Sequence, residues 1–434
     1  MADESATAER VTVVFVDRTM NSGAVPITNV RLALLCPPDT PAQTVNSLEL
    51  EPEPDAVETD HYGQRVARFG RGQLGPGQQW VVRSITDATL TPWQVDLGAY
   101  RAPTAPQIPD EIRALYLRDG ERYALDADRV RQAAREVRSA AGAAAQPDPL
   151  AIIGAAFDYV VEHVQYSRDG TWDPADKVLQ RGTGSCSEYT FAFVALCRAN
   201  GVPARYAGGH ARRAGAALYI DRISHRWAEA YIPDLGWVPF DPTRSDGKDR
   251  HRRYFGRSPR DVLTLARGDG GPDSAVQWRY DSYHTWVGPG DGIGVHRRAW
   301  WFPPVPDEIR FRVAAFASAL PHASSRAAKE RLILTARTIG HPFTLPWLED
   351  LLYDAHIRVK AAEAVRDIGG PQAIVAVIDC LGRAGDPAGD RAIGALLDVW
   401  TGERIASSRI GWQAWLNTKA FAAFTSIKPA EVER

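Results

Sequence analysis

One cysteine in this chain stands in a setting suited to chemistry. Cys186 follows Gly182-Thr183-Gly184-Ser185 and precedes Ser187-Glu188-Tyr189 and an apolar run from Phe191 to Leu196. Glycine and serine make a turn and an N-cap, so the cysteine falls at the start of a helix bound for the core. Unsatisfied N–H groups and the positive end of the helix stabilise a thiolate there and lower its pKa. The same N–H groups can receive the oxyanion formed when a carbonyl is attacked. Cys36, Cys197 and Cys380 have no such surroundings and read as small packed hydrophobes. No Cys-x-x-Cys, His-Glu-x-x-His or paired Cys/His spacing occurs, so the pattern points to neither a zinc site nor a disulfide framework.

A thiolate nucleophile requires a base, and the base requires an orienter. Downstream, Ser224-His225-Arg226-Trp227-Ala228-Glu229-Ala230-Tyr231-Ile232 alternates as a strand does. Gly236-Trp237-Val238-Pro239-Phe240-Asp241-Pro242-Thr243 reads as a turn and a second strand. Paired as a hairpin, the two strands bring His225 and Asp241 to the same end. His210, in Gly208-Gly209-His210, is a rival base at a loop or strand end, without a matching aspartate.

Taken in order, these segments resemble the transglutaminase-like superfamily, a papain-like Cys-His-Asp group. The motifs are Gly184 to Tyr189 at the helix start, Arg198 to Arg205 at its exit, His225 to Glu229 on one strand and Gly236 to Thr243 on the next. Arg226 departs from the pattern, which often has a small residue between the histidine and the tryptophan. The resemblance implies that Cys186 is the nucleophile, His225 the general base and then acid, and Asp241 the orienter of the imidazole. It extends to Tyr166, a candidate oxyanion donor, with Trp227 and Tyr189 as further oxyanion or substrate candidates. It implies acyl transfer on peptide or protein amides through a thioacyl intermediate, ended by water or by an amine, with no cofactor. The alternative is a catalytically silent scaffold that binds protein through its C-terminal helices. Bacterial members of this group are often exported, which the resemblance implies as well.

The elements that must position these residues divide the chain in three. In 1–105, Val11, Val13 and Phe15, then Val30, Leu32 and Leu34, alternate as half-buried strands punctuated by turns at Gly63 and Leu74-Gly75-Pro76-Gly77. This predicts an antiparallel β-sandwich. Prolines between Ala99 and Asp110 mark a linker. Residues 106–303 hold the catalytic core, with helices expected from Asp126 to about Ala140 and from Asp148, where Asp-Pro is a strong start signal. From 304 to 434 the pattern turns helical, and an imperfect period near thirty links Asp354 to Asp386 and Gly340 to Gly369. That spacing resembles HEAT-like repeats and predicts an α-solenoid-like region that recruits a protein or peptide substrate. The fold class expected is α+β and multidomain.

Composition narrows the functions. Among 434 residues, 51 Lys and Arg stand against 53 Asp and Glu, so no overall field grips nucleic acid or an anionic membrane. No stretch approaches the ~18 uncharged apolar residues of a membrane span. The first ten residues lack a basic-then-apolar leader, so the sequence as it stands predicts a cytoplasmic protein, or an exported one if a leader was trimmed. Lys248 to Arg253 reads as a solvated basic loop. The aromatic-rich stretch holding Trp278, Tyr280, Tyr283, His284, Trp286, Trp300 and Trp301 is expected to pack between the core and the helices, or else to wall a substrate cleft.

Overall fold

In the chain Glu9–Asn21, the run Val11-Thr12-Val13-Val14-Phe15-Val16 is buried throughout. Alternation sends Val11, Val13 and Phe15 into one apolar core and Val14, Val16 and Met20 into another. The strand is therefore covered on both faces, not half-buried as the alternation alone predicts, and an unbroken apolar run is what such a strand needs. The computed structural model describes residues 7–103, 107–142, 148–168, 171–212, 218–246, 251–405, 408–418, 420–421 and 425.

Around this strand lies a five-stranded antiparallel sheet, ordered Tyr219–Asp221, Ile293–Phe302, Glu9–Asn21, Gln79–Leu90, Gln43–Glu51. A four-stranded antiparallel sheet runs Ser282–Val287, Ile27–Leu35, Arg65–Leu74, Ala56–Thr59. Inward residues of both sheets, among them Phe15, Val82, Leu32, Leu34 and Phe69, share one apolar cluster. Three strands come from within 106–303, so the N-terminal sheets are completed by chain that returns after the catalytic motifs. Most of the aromatic stretch serves this return: Trp300 and Trp301 are fully buried on opposite faces of one strand.

The middle of the chain surrounds one helix, Cys186–Ala199, in which every residue from Cys186 to Arg198 is buried. Helices Asp128–Ala140, Pro149–His163 and Ala175–Arg181 pack against it. The second begins as its sequence predicts, with the Asp148 carboxylate accepting from the Leu150 N–H and Pro149 in the first turn. On its other side stands a four-stranded antiparallel sheet ordered Gly236–Phe240, His225–Ile232, Ala204–Ala211, Val262–Gly268. The basic loop is partly tied down, since His251 and Arg252 both reach Asp158, and Lys248, Asp249 and Arg250 lie outside the described residues.

From Asp307 the described chain is helical, and its helices cover the outer face of the five-stranded sheet. Glycines with left-handed backbone close helices at Gly340, Gly370 and Gly402, so the spacing near thirty marks helix ends, with the middle cap one residue later than the sequence suggests. Charge is buried in this contact. Arg18 pairs with Glu349 and Asp350, Arg83 with Asp350, and Arg298 with Glu349 and Asp379. Among the described residues no helix is long and apolar enough to cross a membrane.

Candidate active site

The turn before Cys186 is built around Glu188. The Glu188 carboxylate folds back to accept the backbone N–H and the hydroxyl of Ser185, closing the first turn of the helix. A side chain at position 184 would meet Glu188 at 2.4 Å from its own Cβ, so glycine is required there. Gly184 also pairs in parallel with Tyr166. The motif Gly-Ser-Cys-x-Glu is thus one local device that fixes Cys186 at the helix N-terminus.

The base arrives on the neighbouring strand. His225 is opposite Gly209, at a bulge between Gly208 and Gly209. A Cβ on Gly209 would lie 2.0 Å from the Leu263 carbonyl oxygen, so the close strand approach depends on glycine. Ser224, just ahead of His225, is left-handed with φ +59°, and the Asp221 carboxylate accepts from the N–H groups of Ala211, Ile223 and Ser224. Arg222, in the same turn, makes a two-pronged pair with Asp379 of the helical region. This loop is anchored at both ends.

His225 Nε2 lies 2.6 Å from Asp241 Oδ2, which leaves Nδ1 for Cys186, and the ring hydrogen-bonds that thiol. All three side chains are buried. The other Asp241 oxygen, Oδ1, accepts the Arg244 N–H at 3.0 Å, so this carboxylate both caps its turn and holds the imidazole. Burial opposes charge on His225, yet the Asp241 carboxylate outweighs it and raises the imidazole to about 9. Burial likewise opposes the Cys186 thiolate, and the His225 hydrogen bond and charge, with the Arg226 backbone and charge, overcome it and lower the thiol. Asp241 is held below the usual carboxylate range, against burial, by His225 and Arg244. Base and thiol are moved toward an imidazolium–thiolate pair.

The other anticipated residues fare differently. Trp227 is buried two residues along from His225, its ring roughly parallel to the imidazole at 6.1 Å between centroids. Tyr166 is about half exposed beside the Gly184 segment. Tyr189 is fully buried, and its hydroxyl donates to the Val164 carbonyl and reaches Asp246, so it ties the core together and offers no proton to a substrate. His210 stacks on Phe15 at 4.7 Å, its Nδ1 faces Ser224 at 3.4 Å, and burial lowers its pKa, so the rival base is a neutral packed ring. Arg205 and Glu229, both within the motifs, pair at 2.7 Å across neighbouring strands with Trp237 stacked on the guanidinium.

Two further residues stand at the site, neither given a role in it by the sequence motifs. Arg226, the departure from the family pattern, is fully buried within 5.0 Å of the ring centroids of Trp172, Phe191, Tyr206 and Tyr280. Its Nη2 donates to the Trp278 carbonyl, while Nε and Nη1 meet no hydrogen-bond partner among the described residues. Gly208 lies opposite, where a Cβ would meet the Tyr280 ring at 3.0 Å. Tyr280 is the second: its hydroxyl lies 2.8 Å from that of Ser187, next to Cys186. The aromatic density around 278–286 was its only signal. Among the described residues no group of three or more His, Cys, Asp or Glu side chains is placed to hold a metal ion.

With this geometry in place, comparison with known proteins is informative. Residues 136–242 match the core model of the transglutaminase-like superfamily, and the segment is a transglutaminase-like core. Over 99 residues the chain is 34% identical to YebA, an uncharacterized protein of Bacillus subtilis (strain 168), an alignment covering 20% of this chain and 13% of that one. Over 99 aligned residues it is 31% identical to the protein-glutamine gamma-glutamyltransferase of Pseudomonas aeruginosa, covering 22% of this chain and 14% of that one. The match thus spans about one-seventh of the length of these relatives. A crystal structure of a proposed cysteine protease from Cytophaga hutchinsonii overlaps 67% of this chain and 92% of its own, at 16% identity and a TM-score of 0.42.

Proposed function

We propose that the protein performs cysteine-dependent acyl transfer on peptide or protein amides, glutamine side chains among them. The Cys186 thiolate attacks the amide carbonyl, and amides of the first helical turn receive the developing oxyanion. His225 then gives its proton to the departing amine, leaving an acyl group in thioester linkage to Cys186. Water or a primary amine, deprotonated by the same imidazole, attacks the thioester and restores the thiol. Asp241 holds the ring with Nδ1 toward sulfur throughout. The observation that carries this reading is the His225 ring bridging Cys186 and Asp241, with thiol and imidazole shifted in opposite senses. The name of the Pseudomonas aeruginosa relative supports glutamine amides as substrates. We read the helical region as a HEAT-like array that helps recruit the protein substrate.

Intact-mass analysis of a glutamine-rich protein, incubated with and without a primary amine, tests the reading. Conversion of amide to acid reports hydrolysis, an amine adduct reports transfer, and Cys186→Ala should abolish both. An unchanged substrate mass with folded wild-type protein, and no acyl adduct on Cys186, would overturn it.

A further inference from the structure

Beside the triad is a cavity of about 140 Å³, room for four or five waters. Ser224, which precedes His225, and Tyr280, which bonds Ser187, stand in its wall, so two of its lining residues adjoin the segments that carry His225 and Cys186. Four arginines line it: Arg222, Arg279, Arg297 and Arg298. Three are ion-paired with neighbours. Arg222 and Arg298 share Asp379, with Glu349 also on Arg298. Arg297 reaches Asp17 and Asp281 and bonds Ser282. The two acids in the wall are occupied as well, Asp221 by three backbone N–H groups and Asp281 by Arg297 and the Ser282 N–H.

Arg279 is left over. No carboxylate among the described residues pairs with it, and its guanidinium rests over the Trp172 ring at 6.0 Å. Burial and the like charge of Arg297 lower its pKa, outweighing the opposite pull of Asp281, Tyr283 and Asp17. A guanidinium presents a planar fork that matches a carboxylate. Peptide-like acyl donors carry their negative charge as carboxylates, and the cavity has room for one on a short stem.

We infer that this cavity is a carboxylate subsite, in which Arg279 binds an acidic group carried a few bonds from the amide that Cys186 attacks. The inference rests on the acyl-transfer reading and names the substrate class for it: acyl donors with a nearby free carboxylate, such as a chain terminus or an acidic neighbour.

Two measurements test it separately from the chemistry. Glutaryl-p-nitroanilide and pentanoyl-p-nitroanilide have the same chain length and differ by the terminal carboxylate. Wild-type kcat/KM should favour the glutaryl compound by about tenfold or more, and Arg279→Gln should bring the ratio to about one. The ratio is internal to each protein, so partial loss of folded enzyme does not disturb it. Calorimetry on Cys186→Ala should show 4-carbamoylbutanoate binding more tightly than pentanamide, with the difference lost when Arg279→Gln is added. Turnover of both anilides at equal efficiency would overturn the subsite and leave acyl transfer standing. Arg279-dependent binding of 4-carbamoylbutanoate with no turnover of either anilide would support the subsite and count against acyl transfer. Equal binding of the two amides would overturn the subsite whatever the turnover.

Discussion

Replacing Asp241 by asparagine tests the triad with little steric change. Oδ1 accepts the Arg244 N–H and can go on doing so in asparagine, so the turn cap survives. The amide –NH2 then faces His225 Nε2 as a donor, which favours the tautomer with its proton on Nδ1, against sulfur. That ring cannot take the thiol proton. Asp241 is also the main support of the imidazolium, and the rise from 6.5 to about 9 corresponds to about 3 kcal/mol. Losing most of it predicts a fall of ~10²–10³ in kcat/KM. The alkylation of Cys186 by iodoacetamide should move its midpoint upward in pH, toward that of an ordinary thiol, because fewer imidazolium ions remain to stabilise the thiolate. Stability follows the same charge. The folded imidazole titrates above its unfolded value, so its contribution is complete below pH 6.5 and is lost as pH rises through about 9. The Tm gap between wild type and variant should therefore narrow across that window. Steady-state kinetics and thermal melts on the purified variant decide the matter: wild-type turnover from a folded Asp241→Asn protein would refute the reasoning.

Limiting iodoacetamide at neutral pH should label Cys186 first, since burial raises the thiols of Cys36, Cys197 and Cys380, and peptide mapping reads the order. Arg226→Met should keep the aromatic packing and hold or raise Tm, because a buried cation with unmatched donors is replaced by an apolar side chain. It should also slow Cys186 alkylation at pH 7 by a few-fold to about tenfold, as a positive charge near the thiolate is lost. Truncation after Phe302 should abolish cooperative melting, since it bares Val14, Val16, Trp300 and Phe302 and strips Arg18, Arg83 and Arg298 of their carboxylates. A folded, cooperatively melting truncation would show that the helices contribute little to the core.

Local signals were legible in the sequence wherever a short segment decides its own geometry. The glycine-serine turn before Cys186, the Asp148-Pro149 helix start and the hairpin joining His225 to Asp241 are of this kind. Non-local pairing was harder to read. Nothing local in Ile293–Phe302 says that it lies beside Glu9–Asn21, so the sheet's composition escaped notice. The buried outer face of the first strand was written in the continuous apolar run Val13 to Val16, which alternate residues obscured. Arg226 looked like a defect in a motif because four rings from four segments supply its environment, and no window of sequence contains them.

The pairing of Glu9–Asn21 with Ile293–Phe302 also has a consequence in time. On a ribosome adding ~5–20 residues per second, the first strand waits about 14–54 s for its partner to be made. Through that interval its apolar face toward the helices has no cover, because those helices are encoded later still. The catalytic residues are all translated earlier, yet the turn that delivers His225 gains its Asp379 anchor only 157 residues after Arg222 is made. A nascent chain therefore holds the chemistry before it holds the clamp.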